Sequence, residues 1–128
     1  GVITTIGFMI SEDYGRLLEN LVAIELLRRR SYWRREVEVF YWKDYQQNEV
    51  DFVLKEGKKV KQLIQVSYSI VDPYTKEREE KALIKASKEL TCKNLLILTW
   101  DEEGEVKKEG KRIKYMPVWK WLMQPGFE

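Results

Sequence analysis

Glu49-Val50-Asp51-Phe52-Val53 and Leu63-Ile64-Gln65-Val66-Ser67-Tyr68 are the two stretches that decide the fold of this chain. Both are rich in β-branched and aliphatic residues, and the polar turn Lys55-Glu56-Gly57-Lys58 lies between them, so they predict a hairpin of two antiparallel strands. Strict alternation would put Glu49, Asp51 and Val53 on one face and Val50, Phe52 and Leu54 on the other. It would also put Leu63, Gln65 and Ser67 opposite Ile64, Val66 and Tyr68. Paired through the Gly57 turn, Asp51 and Gln65 stand side by side among apolar neighbours. A polar pair in that setting needs partners. Two kinds fit: a hard cation held by the Asp51 carboxylate, the Gln65 amide oxygen and a carbonyl such as that of Val66, or hydrogen bonds from backbone or arginine groups.

On the N-terminal side, Ser11 reads as a helix N-cap with Glu12 and Asp13 in the first turn. Tyr14, Leu17, Leu18, Leu21, Val22, Ile24 and Leu26 then recur at helical spacing to about Arg30. Glu25 projects into the middle of that stripe and Glu19 lies at its side, so Glu25 requires a partner. Residues 1–10 read as a lead-in segment, and an initial Gly rather than Met suggests a piece of a longer protein. Residues 36–42 alternate as a further strand, completing a three-stranded meander.

On the C-terminal side, Asp72-Pro73 opens a second helix that runs to Leu90. Asn94-Leu95-Leu96-Ile97-Leu98-Thr99-Trp100 is apolar on both faces and belongs at a sheet centre, in a strand, helix, strand unit with residues 61–68. A last strand over 113–118 leads into a short helix around Trp119-Lys120-Trp121-Leu122. Lys107 to Arg112 reads as a solvated turn, and Trp100, Trp119, Trp121 and Met116 as core or interface residues. The order predicts a single α/β domain over 1–128, a sandwich of helices around one mixed sheet of about five strands.

Composition removes several chemistries. Without histidine there is no Ser-His-Asp or Cys-His catalysis and no imidazole zinc site, and the lone Cys92 reads as a small buried apolar residue. One cysteine and no signal peptide or membrane span suit the cytoplasm. A net charge of +2 makes no polycation, but Arg28-Arg29-Arg30-Ser31-Tyr32-Trp33-Arg34-Arg35 sets five arginines beside two aromatics. That run suits either phosphate and base contact or a helix end that offsets the macrodipole.

Taken with Gly15-Arg16-Leu17-Leu18-Glu19-Asn20, Thr75-Lys76-Glu77-Arg78-Glu79 and Leu95 to Trp100, the two opening stretches resemble the C-terminal domain of prokaryotic, especially archaeal, AAA-type ATPases. That domain is similar to the PD-(D/E)XK, restriction-endonuclease-like superfamily, and the likeness runs from Ser11 to Leu122. It implies a helical acid at Glu19, a first strand acid at Asp51, a second acid position at Gln65 and a lysine position at Ser67. Asp51, Gln65 and Glu19 would then hold Mg²⁺, or Mn²⁺ in its place, with Glu25 or Glu49 just outside. Gln65 brings no negative charge and Ser67 no cation, and losing such stabilisation costs on the order of 10²- to 10³-fold in rate. Lys61, Arg78 or Lys81 could supply the cation from a neighbouring element.

Three functions follow as expectations. The first is a catalytically degenerate nuclease-like domain on an N-terminal AAA-type ATPase module, binding DNA or RNA through Arg28, Arg29, Arg34 and Arg35 or acting in regulation. The second is an active Mg²⁺-dependent phosphodiesterase. The third is a protein-docking domain that uses its aromatic C-terminus.

Overall fold

The computed structural model describes residues 2–32 and 36–124, with the side chains of 14–32 and 36–124. Helix α1 (Val2–Tyr32) precedes a meander of β1 (Val37–Lys43), β2 (Glu49–Glu56) and β3 (Lys59–Val66). Helix α2 (Pro73–Leu90) crosses to β4 (Leu95–Thr99), and β5 (Gly104–Lys108) and β6 (Lys111–Pro117) form a hairpin before α3 (Val118–Leu122). The sheet order is β1-β2-β3-β4-β6-β5. β1, β2 and β3 pair antiparallel, β3, β4 and β6 run parallel, and β5 returns antiparallel on the far edge.

Two apolar cores cover the two faces. Leu18, Val22 and Leu26 of α1 pack with Trp121 of α3 over Phe52, Leu54, Ile64, Leu96, Leu98 and Met116. On the other face Leu83, Ile84 and Ala86 of α2 cover Trp42, Val50, Val53, Leu63, Ile97 and Tyr115. All five residues of β4 are buried, as its apolar run requires of a strand covered on both sides. Asp72 caps α2 by accepting from the Thr75 amide at 3.2 Å, and Pro73 takes the position where a missing N–H costs nothing.

Three readings of the sequence are corrected. Helix α1 begins at Val2, with Ser11 inside it, because residues 2–10 contain no proline and a formed helix propagates cheaply through a serine. The sheet has six strands, not about five. The added strand is β5: residues 107–112, read as a solvated turn, hold the turn of the β5–β6 hairpin, where Glu109 and Gly110 both take positive φ, as a two-residue turn of the right twist demands. On α1 the buried line is Leu18, Val22, Glu25, Leu26 and Arg29, so Leu17, Leu21 and Ile24 of the expected stripe face outward. Trp121 and Met116 are core residues, whereas Trp100 and Trp119 are exposed. Cys92 is buried. Among the described residues no helix is long and apolar enough to cross a membrane.

Candidate functional site

The alternation expected of β2 fails at Asp51. Phe40 pairs with Val53 but Trp42 pairs with Val50, so Asp51 and Phe52 together oppose the single residue Tyr41. This is a β-bulge. It sends Val50 and Val53 to the α2 face while Phe52 and Leu54 go to the α1 face, and Asp51 sits at the break. Bulges of this kind re-aim one side chain without dismantling the strand.

On the other edge of β2, pairing with β3 ends at Phe52 and Ile64. Beyond that point side chains replace the ladder. The Asp51 amide donates to Gln65 Oε1 at 2.9 Å, and Gln65 Nε2 donates to the Glu49 carbonyl at 2.8 Å. Reciprocally, the Val66 amide donates to Asp51 Oδ2 at 2.8 Å. Asp51 and Gln65 are thus neighbours, as the hairpin reading expected, and the buried Gln65 amide has both polar atoms engaged with β2. β3 stays joined to β4, since the Ser67 amide donates to the Leu98 carbonyl at 2.9 Å.

The parted strands open a cleft of about 230 Å³ lined by Glu49, Asp51, Gln65, Arg78 and Glu79, among others. Burial pushes the Asp51 carboxyl up to about 7, and the nearby charges of Glu19, Glu79 and Glu49 add to it against the Val66 hydrogen bond. Burial also raises Glu79; Arg78 at 3.4 Å opposes this, while Glu49 and Glu19 reinforce it. Four carboxylates from α1, β2 and α2 therefore share one electrostatic neighbourhood. Such a site can exchange a proton near neutrality and attracts cations, and it repels a phosphate that arrives without one.

Glu79 is the residue that sequence reasoning missed. It belongs to the block 75–79 that carried part of the resemblance, yet on α2 its spacing resembles any solvated helix charge. Only the placement of α2 against β2 and β3 turns it toward Asp51. Its neighbour Arg78 is the one among Lys61, Arg78 and Lys81 that lines this cleft; Lys81 lines an adjoining depression. The Ser67 hydroxyl donates to the Ser69 carbonyl at 2.9 Å, closing a local turn.

The second cluster of the arginine helix is separate. Glu25 accepts from Arg28 at 2.9 and 2.8 Å and from Arg29 at 2.8 Å, which supplies the partners its buried position requires. Arg29 donates onward to the Trp121 carbonyl at 2.6 Å and lies 4.2 Å over the Trp121 ring. With 1% exposure Arg29 is a core residue, so its place in a nucleic-acid surface is corrected: burial against Trp121 leaves no face for a phosphate. Arg28 remains half-exposed. Arg34 and Arg35 lie outside the described residues.

The donor set can be weighed for a metal. One Asp51 oxygen already takes the Val66 amide, the Gln65 oxygen takes the Asp51 amide, and Glu49 is drawn to the Tyr41 hydroxyl at 2.9 Å and Lys43 at 3.5 Å. Among the described residues no three carboxylate, cysteine or histidine side chains are arranged to hold a metal ion. As placed, these residues do not form a metal centre.

Fold and cleft together define a three-layer α/β/α domain with a mixed sheet and an acidic opening where two strands part. A family model described as a domain of unknown function, DUF4143, matches residues 14–121, and the chain belongs to that family. It is also 42% identical over 119 residues to the uncharacterized protein MJ1544 of Methanocaldococcus jannaschii. That match covers 88% of this chain and 26% of the relative, so the chain spans about a quarter of the length of the curated protein it matches.

Proposed function

We propose that the chain is a nuclease-like module of a longer, ATPase-bearing polypeptide, that it binds nucleic acid, and that its capacity to cleave phosphodiesters is weakened or lost. The observation that carries this reading is the pairing of Asp51 and Gln65 at the parted strands. A carboxylate stays where the nuclease-like resemblance expects the first strand acid, while the second acid position holds an amide spent on the β2 backbone. The lysine position holds a serine that closes its own turn. A meander joined to a parallel crossover, with the cleft at the strand ends, supports the restriction-endonuclease-like assignment. The much longer relative supports a larger parent chain.

Phosphate approach to four carboxylates needs screening, so Mg²⁺ or Mn²⁺ enters this reading as an ion brought with the nucleic acid rather than one held by the empty protein. The test is an oligonucleotide binding and cleavage series on the full chain with and without millimolar Mg²⁺. Binding that strengthens with Mg²⁺, weakens steeply with salt and leaves the strand intact is expected. Cleavage abolished by Asp51→Ala would establish the active phosphodiesterase instead, and absence of binding in every condition would overturn the nucleic-acid reading.

The protein-docking reading draws on a different observation. Leu17, Leu21, Ile24 and Leu27 of α1 are between 40% and 65% exposed, more aliphatic surface than one helix of a self-sufficient domain needs to show. A neighbouring domain of the same polypeptide is the occupant that fits a chain matching a quarter of its relative.

A further inference from the structure

Three aromatic rings form a ladder on the α1 face at the end of β3 and β4, whereas Arg78, Glu79 and Ala82 line the cleft from α2. Tyr14 of α1 stacks on Tyr68 with centroids 5.8 Å apart and planes 14° apart, and Tyr68 stacks on Trp100 at 5.9 Å and 19°. Tyr68 follows β3 and Trp100 follows β4. Because those strands are parallel, both rings emerge at the same end of the sheet, two residues past the Val66 amide that holds Asp51. All three face the α1 side.

Two rungs of the ladder, Tyr68 and Trp100, are fixed by their backbone. The Trp100 amide donates to the Tyr68 carbonyl at 3.1 Å. Thr99 Oγ1 donates to the Glu102 carbonyl at 2.6 Å and accepts the Glu102 amide at 2.9 Å, while the Glu102 carboxylate takes the Ile70 amide at 2.9 Å. Despite this anchoring the outer rings are not covered: Tyr14 is 48% and Trp100 53% exposed. Core aromatics bury their area, and rings kept rigid, nearly parallel and half in water present a face that another flat ring can continue.

We propose that the Tyr14, Tyr68, Trp100 ladder is a stacking platform for unpaired nucleobases, so that the nucleic acid taken by this module is single-stranded. This rests on the nucleic-acid reading above and specifies its substrate class. The chain beyond Trp100 is Asp101-Glu102-Glu103, with no cation among those three to hold a phosphate, so recognition here falls on the base. The contribution of the platform is therefore largely independent of salt, in contrast to arginine contacts with the backbone. Base stacking of this kind is sequence-tolerant.

The experiment measures affinity of the full chain, with Mg²⁺, for a labelled single strand, for the same strand with abasic sites, and for the duplex. Trp100→Ala and Trp100→Phe are compared with Trp119→Ala, an exposed tryptophan on α3 that is not part of the stacked pairs. Trp100→Ala should weaken the single strand by about 5- to 100-fold, by the same factor at low and high salt, with Trp100→Phe largely restoring it and Trp119→Ala neutral. The abasic strand should bind the natural protein about as weakly as the normal strand binds Trp100→Ala. If the natural protein binds the strand but neither Trp100→Ala nor abasic substitution matters, the platform is wrong and the nucleic-acid module stands. Preference for duplex, or a Trp100→Ala loss that vanishes at high salt, overturns it as well. Failure of the natural protein to bind any nucleic acid overturns both.

Discussion

The two acidic clusters of this domain use the same residue types to opposite ends. At Glu25 the Arg28 guanidinium, and after it Arg29, hold the carboxyl down to about 2 against its burial. At Asp51 burial works in the company of Glu19, Glu79 and Glu49, and the carboxyl is pushed up to about 7. The first cluster joins α1 to α3 through the Trp121 carbonyl and ring. Its charges are compensated, and it is a fastening. In the second, Asp51 takes the Val66 amide while Arg78 and Lys43 sit only on the neighbouring Glu79 and Glu49, and the cluster faces an open cleft. Buried like charges cost stability, so a fold that keeps them invests stability in a site.

Breaking the fastening gives the largest effect. Arg29→Ala removes the guanidinium under Trp121 and leaves Glu25 with one partner, and the expected loss is about 3–5 kcal/mol in urea denaturation. A loss below about 1 kcal/mol would make this cluster no more than a surface ion pair.

Changing the cleft should act in the other direction. The folded Asp51 carboxyl has a pKa of about 7, whereas an unfolded aspartate lies near ~3.9. Between those values the native state binds more protons than the unfolded one, so stability falls as pH rises from roughly 4 to 7 and the penalty is complete above that window. Asp51→Asn keeps an oxygen for the Val66 amide and removes the charge. It should stabilise the domain by about 2–4 kcal/mol at pH 8, with the gain fading toward pH 4, as read from denaturation midpoints across pH. A destabilised Asp51→Asn at pH 8 would place Asp51 with Glu25 as a structural acid.

Legibility in the sequence followed how local each determinant is. The cap at Asp72-Pro73 and the apolar run of β4 depend on neighbours in the chain, and both could be read directly. The start of α1 could not, because Ser11 offers a cap that a longer helix simply passes through. The turn at Glu109-Gly110 was legible in its lysine-rich run, but β5 before it was not, because Gly104 to Lys108 carries one apolar residue, Val106, and so little alternation to read. In the site, the Asp51–Gln65 adjacency follows from the hairpin alone. The bulge does not, since it depends on where β1 slips against β2, and alternation gave the wrong partners on either side of Asp51. Glu79 required the packing of α2, and Arg29 required knowing that Trp121 returns to α1. Charges whose partners lie far away in sequence were the illegible part.

The most direct measurement is a carbon-13 NMR titration of the Asp51 carboxyl in the natural protein and in Glu79→Gln. An uncompensated acidic cleft predicts a midpoint near pH 7 that falls when Glu79 loses its charge. A midpoint at or below about 4, unmoved by Glu79→Gln, would mean that Asp51 is as well compensated as Glu25 and would contradict the account.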